Sequence, residues 1–144
     1  MSKKSVMDKW HKRLDNLWKE YCLLRDEGCQ IRKHYPASCG CNNEILQVHH
    51  VFSRVIKSLT FDVTNGVVLG QWCHSKLHFG AKDNRNGMKT LVDKIAIARD
   101  GQENFDRMTE QALGRANAFL DFKSIDWCEK QEKILTEMIE NIDH

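Results

Sequence analysis

Residues 46–54 read LQVHHVFSR, and residues 64–79 read TNGVVLGQWCHSKLHF. The run ILQVHHV (45–51) has the length and branched residues of a short strand. FSRVIKSLTFDVTNG (52–66) reads as an extended loop, VVLG (67–70) as a second short strand, and a short helix begins near Gln71 and carries WCHSKLHF. Four of the seven histidines fall in this window, as His49-His50, His74 and His78, with Asn65 between the pairs. His74 and His78 are four apart on the predicted helix, so both imidazoles lie on one face and reach one cation. His49 is placed to supply a third nitrogen from the strand. Three protein ligands leave positions for water or a phosphate oxygen, the arrangement of a catalytic rather than a closed structural site. His50, beside the metal but not on it, is then a candidate general base, because an imidazole titrates near neutrality. Successive strand residues point to opposite faces, so His49 and His50 serve one site only if the strand ends or twists there.

Outward from this window the chain reads as helix. Met7, Trp10, Leu14, Leu17, Tyr21 and Leu24 recur at three- and four-residue steps and predict a helix from about Ser5 to Glu27, with Gly28 as its stop. Residues 29–44 read as irregular. After a Gly/Asn-containing loop at 80–87, Met88, Leu91, Val92 and Ile95 mark another helix. Two more follow, one carrying Met108, Ala112, Leu113, Ala116, Phe119 and Leu120, the other Trp127, Ile134, Leu135, Met138 and Ile142. The expectation is an α+β, mostly helical fold in a single domain spanning 1–144. A long N-terminal helix (1–28) and a helical C-terminal part (88–144) flank a strand–strand–helix unit (39–80).

The composition narrows the function classes. A chain of 144 residues is one domain's worth, and 41% apolar content with four tryptophans excludes disorder. No window approaches the roughly 20 apolar residues of a membrane helix. The charged N-terminus lacks an apolar signal region, which points to the cytoplasm. There the six cysteines are expected as reduced thiols, some available to a metal. The net charge of +2 is uneven: residues 1–40 hold nine Lys/Arg against five Asp/Glu, residues 41–100 eight against five, and residues 101–144 five against ten. A basic front and an acidic tail suit a protein that meets a polyanion with its first two thirds, although charge alone equally describes a solvated surface.

The spacing HH-x14-N-x8-H-x3-H in LQVHHVFSR and TNGVVLGQWCHSKLHF resembles the HNH endonucleases of the His-Me finger (ββα-metal) superfamily, including the nuclease colicins. The resemblance covers about residues 39–79. It implies that His49, His74 and His78 bind one divalent metal ion (Mg, Mn, Ni or Zn), that His50 activates water, and that Asn65 braces the loop holding the His50 ring. The implied reaction is hydrolysis of DNA phosphodiester bonds leaving a 5′ phosphate and a 3′ hydroxyl. Arg54, where many relatives carry a basic residue, becomes a candidate phosphate clamp. More loosely, the whole chain is similar to the NinG (Rap) recombination endonucleases of lambdoid phages: WKEYCLLRDEGC is an aromatic-rich helix ending in an Arg-Asp step, and LTFDVTN, CH and LVDKIA follow in order. That similarity implies a phage nuclease of the host cytoplasm acting on branched recombination intermediates.

Many HNH relatives carry two Cys-x-x-Cys pairs holding a structural zinc. Here both pairs are broken, with Pro36 and Gly70 where the first members would stand. A zinc on Cys39, Cys41, Cys73 and Cys29 and a set of small buried thiols therefore stand as alternatives. The candidate nucleic-acid contacts are Lys9, Lys12 and Arg13 of the basic N-terminal cluster, with Lys57 and Lys76. Trp10, Trp18, Tyr21, Trp72 and Trp127 have helical spacing that favours core over base stacking. Two competing functions remain from the sequence: a catalytically silent nucleic-acid-binding protein with a zinc-stabilised fold, against which the intact His50 argues, and a toxin-like nonspecific nuclease. Long amphipathic helices at both ends suit a homodimer, which gives a junction-cutting enzyme two active sites.

Overall fold

A computed structural model describes residues 2–42, 45–114 and 124–142. The first helix, α1, spans Lys3–Asp26. Ser2 caps it by accepting the Ser5 amide, and Glu27 and Gly28 turn the chain out through positive φ of 54° and 133°. Where irregular chain is expected after Cys29, the structure has a single-turn helix α2 (Gln30–His34) and a 3₁₀ turn at Pro36–Ser38. Elements this short contain too few residues to show a period. β1 (Leu46–His50) and β2 (Gly66–Gly70) form a two-stranded antiparallel sheet in which His49 faces Val67 and His50 faces Gly66. α3 (Gln71–Phe79) leaves β2 directly and stops at Gly80, where a Cβ would lie 2.5 Å from the Lys76 carbonyl oxygen.

The segment read as a loop at 80–87 is a correction. Helix α4 runs Lys82–Asp100, so its first turns use the residues KDNRNG. Those residues have weak helix propensity and no apolar period, but they extend a helix anchored further on by buried Met88, Val92, Ile95 and Ala96. α5 spans Gln102–Leu113 and contains Met108, Ala112 and Leu113 of the expected helix. Its expected continuation through Ala116, Phe119 and Leu120 lies outside the described residues. α6 spans Ile125–Glu140 and is capped by Ser124, with Ile142 beyond its end. The fold is thus mostly helical around one small sheet, and no helix among the described residues is long and apolar enough to cross a membrane.

The sheet divides the core in two. Val67 and Leu69 of β2 point to one face, where they pack with Ile31, Cys73, Met88, Val92 and Ile95. Val68 points to the other, among Leu14, Trp18, Cys22, Phe61, Cys128 and Leu135. β2 is therefore buried throughout, covered by α1 on one side, against which α6 packs, and by α2, α3 and α4 on the other. Gly66 permits that approach, since a Cβ there would lie 2.7 Å from Cys22 Sγ and 2.8 Å from Trp18 Cζ2.

An ionic knot locks the start of β2. Arg25 donates to the carbonyls of Val63 (2.7 Å) and Gly66 (2.8 Å), and Arg99 to those of Gly66 (2.8 Å) and Thr64 (3.1 Å). Buried Asp26 sits between the two guanidiniums, 2.6 Å from Arg25 Nε and 3.6 Å from Arg99, and accepts the Val68 amide at 3.0 Å. The Arg-Asp step at the end of the first helix thus pins the loop that contains Asn65.

Candidate active site and metal centres

β1, β2 and α3 bring His49, His74 and His78 together. One ring nitrogen from each lies within 4.8 Å of the other two, and the His74 and His78 Nε2 atoms are 3.0 Å apart. The His74 ring is oriented from behind: its Nδ1–H donates to Gln47 Oε1 at 2.6 Å, which leaves the Nε2 lone pair facing His78. Gln47 and His49 are two apart on β1 and so share a face. Burial, then the neighbouring His74 and His78, pushes His49 down to about 3; burial, then His78, also lowers His74. Both shifts favour the neutral ring at His49 and His74, and the three imidazoles converge on one point with no carboxylate in the set, which fits a borderline divalent cation.

His50 points to the opposite face of β1, as strand alternation requires, yet it opens on the same cleft because the strand ends there. Its ring stacks on Trp18 of α1 with centroids 4.1 Å apart and planes 12° from parallel. Its Nε2 is 2.9 Å from the Thr60 carbonyl oxygen. A carbonyl only accepts, so Nε2 carries the proton and Nδ1 keeps its lone pair. Burial, foremost, lowers the pKa of His50, which favours the neutral ring.

Asn65 is fully buried and ties down the loop after His50. Its Oδ1 accepts the Phe52 amide at 2.7 Å, and its Nδ2 donates to the Phe52 and Leu59 carbonyls, each at 3.0 Å. Its own carbonyl accepts the Val51 amide at 2.9 Å. Thr60 Oγ1 in turn donates to the Arg54 carbonyl at 3.1 Å, and the exposed Arg54 side chain lines the cleft.

The cleft has a volume of about 1080 Å³, with the four histidines on its floor and Lys19, Arg54, Lys82, Arg85 and Lys89 on its walls. The candidate contacts named from sequence lie elsewhere. Lys9 and Arg13 line a separate shallow pocket on α1, and Arg13 pairs with Glu132 of α6. Exposed Lys12 is on the same helix. Lys57 opens a 3₁₀ turn, and Lys76 lies over the Trp72 ring, 5.2 Å from its centroid. Trp18 is core, yet it also touches His50, a double role that helical spacing alone does not reveal.

The second cluster is made of thiols. Cys29 at the start of α2, Cys39 and Cys41 after the 3₁₀ turn, and Cys73 on α3 place their sulfurs within 4.8 Å of one another. Cys41 Sγ is 3.5 Å from Cys73 Sγ and 3.9 Å from Cys29 Sγ. Hydrogen bonding from Cys73, opposed by burial, holds Cys29 down at about 4. Gly70 stands where a paired cysteine would otherwise be expected, and a Cβ there would collide with Cys41 Sγ. The absent partner is thus replaced by room for the cluster, while Cys29, at the N-cap of α2, supplies the fourth sulfur. These four cysteines form a potential metal centre, and Cys73 joins it directly to His74. Compared with protein-family models, curated proteins and solved structures, the chain matches none.

Proposed function

We propose that this chain is a metal-dependent endonuclease of the HNH type that hydrolyses DNA phosphodiester bonds. One relationship carries the reading: three imidazoles converge on a cation-sized point while a fourth, His50, opens on the same cleft with its Nε2 occupied by Thr60. A purely structural site has no use for such an unliganded base. His49, His74 and His78 hold the ion, and Gln47 orients His74. An ion held there would supply Lewis acidity toward the scissile phosphate and the leaving oxygen. His50 Nδ1 takes a proton from water, the water oxygen bonds to phosphorus, and the bond from phosphorus to the 3′ oxygen breaks, the departing oxygen taking a proton from solvent to become the 3′ hydroxyl. Asn65 keeps the His50 loop rigid, and Arg54 grips a non-bridging phosphate oxygen. The carboxylate-free ligand set favours Zn, Ni or a similar ion over Mg.

The deciding experiment incubates the protein with supercoiled plasmid and a synthetic four-way junction, with Zn²⁺, Ni²⁺, Mn²⁺, Mg²⁺ or EDTA, beside His50→Ala. The expected result is metal-dependent cleavage that the substitution abolishes. Equal cleavage by the variant removes His50 from its role. No cleavage of either substrate with any metal leaves the silent nucleic-acid-binding alternative. Preference for the junction supports action on branched recombination intermediates of a phage.

Cys29, Cys39, Cys41 and Cys73 are proposed to hold a structural zinc. A four-thiolate set is closed to water and characteristic of structural sites. Such a zinc fastens α2 and the 39–41 turn to α3, and so stiffens the helix that holds two of the three histidine ligands.

A further inference from the structure

The first turns of α4 have no role in the chemistry above, yet they form a wall of its cleft. Lys82, Arg85, Asn86 and Lys89 recur at positions i, i+3, i+4 and i+7, which places them on one stripe of the helix. All four line the cleft, and all four are exposed. The neighbouring face of α4, through Met88 and Val92, is buried in the core, so the stripe's direction is fixed. Lys19 of α1 and Arg54 line the cleft with it. Among the described residues that line this cavity there is no Asp or Glu, although the chain carries 20 of them. Lys19 and Lys89 are paired with acids on their own helices, Asp15 at 2.8 Å and Asp93 at 3.2 Å. Lys82 and Arg85 have no ion pair to any described residue.

From this we infer that the Lys82–Arg85–Asn86–Lys89 stripe is the surface on which a phosphodiester backbone lies while one of its phosphates enters the histidine site. Three cations and an amide donor on a fixed helix, beside the histidine cluster, match the repeating charge and acceptor oxygens of a nucleic-acid strand. Cations that address phosphates rather than base edges contribute affinity without sequence preference. The inference rests on the nuclease reading for its orientation, but its test does not.

The test is binding rather than turnover. A fluorescein-labelled 25-base-pair DNA duplex is titrated with neither added metal nor chelator, so that the thiol cluster keeps its zinc, against wild type, Lys82→Ala/Arg85→Ala/Lys89→Ala, and the charge-matched control Lys94→Ala/Lys130→Ala/Lys133→Ala, over a range of salt. The three stripe cations are exposed, so circular dichroism and Tm are expected to match wild type. The stripe variant is expected to bind roughly tenfold or more weakly, and to lower the slope of log affinity against log salt by about 0.9 per removed contact. The control is expected to change far less. Unchanged affinity and slope in the stripe variant overturn the inference, as does an equal loss in the control or no binding by wild type. Binding with the expected losses, but without cleavage under any metal, upholds the stripe and sinks the nuclease reading instead.

Discussion

Gln47 of β1 and His74 of α3 are joined by a 2.6 Å hydrogen bond from Nδ1–H to Oε1, and that bond decides which nitrogen of His74 faces the other two histidines. Without it, either tautomer is open to the ring and the lone pair is free to turn away. Partners of this kind change metal affinity about 10- to 100-fold. Gln47→Ala is expected to weaken Ni²⁺ binding by that factor in calorimetric titration, with little change in Tm. Gln47→Glu, which keeps the acceptor, is expected to bind at least as well as wild type. Unaltered affinity in Gln47→Ala would refute the role.

Trp18 serves His50 in a different way, through a stacked face 4.1 Å away. Its Nε1–H is held by the Asp62 carbonyl at 2.8 Å, so the indole is a fixed shelf. Trp18→Phe retains a ring against the imidazole and is expected to cost about 1–3 kcal/mol, with cleavage per folded molecule largely kept. Trp18→Ala opens a cavity under the His50 ring and is expected to cost about 3–5 kcal/mol and, on the proposed role of His50, to lower kcat further than the folded fraction explains. Denaturant melts paired with single-turnover rates separate the two effects.

Asn65 connects more groups than any single substitute reproduces. Asn65→Ala strands the half-buried Phe52 amide and carbonyl and the buried Leu59 carbonyl, and a buried group left without a partner costs about 1–3 kcal/mol. Asn65→Asp keeps the acceptor for Phe52 but loses both donations and sets a buried charge against two carbonyls, so it is expected to destabilise at least as much. Hydrogen exchange of residues 51–60 should accelerate in both variants while α6 amides stay protected.

Asp26 is expected to be a stability residue. Asp26→Ala leaves Arg25 and Arg99 facing one another without their shared carboxylate and frees the Val68 amide. Removing one partner of a buried ionic cluster costs about 3–5 kcal/mol. A urea melt that moves by less than about 1 kcal/mol would show that the knot does not hold β2.

The six thiols should divide into two groups. The four clustered sulfurs are expected to bind one zinc per chain, measurable by elemental analysis, and to resist thiol reagents until a chelator removes it. Cys22 lies outside the cluster and is pushed up to about 12, chiefly by burial, and burial also raises Cys128. At pH 8 both are therefore neutral thiols and poor nucleophiles, and they should react only after denaturation. Cys39→Ser is expected to lower zinc occupancy and Tm together. Full labelling of the clustered thiols without a chelator would rule out the zinc.

The long first helix, the two strands and the start of α3 at Gln71 were legible in the sequence because apolar period and punctuation are local properties of the chain. The pairing of His74 with His78 was legible for the same reason, since a four-residue step on a helix fixes the shared face by itself. α2 was not legible, being a single turn, nor were the first turns of α4, whose polar residues carry no apolar signal. Cys29, Cys39, Cys41 and Cys73 could be named as candidates, but their convergence depends on how α2 docks against β2 and α3. Gln47 behind His74, Trp18 against His50 and the basic stripe beside the cleft belong wholly to tertiary structure. Gln47 meets His74 because α3 docks on β1, Trp18 meets His50 because α1 packs on the sheet, and the stripe faces the cleft because α4 packs against α3; each juxtaposition joins elements far apart in sequence. The sequence by itself determined which side chains were available for metal and proton chemistry; the packing decided which of their atoms meet, and which charges surround them.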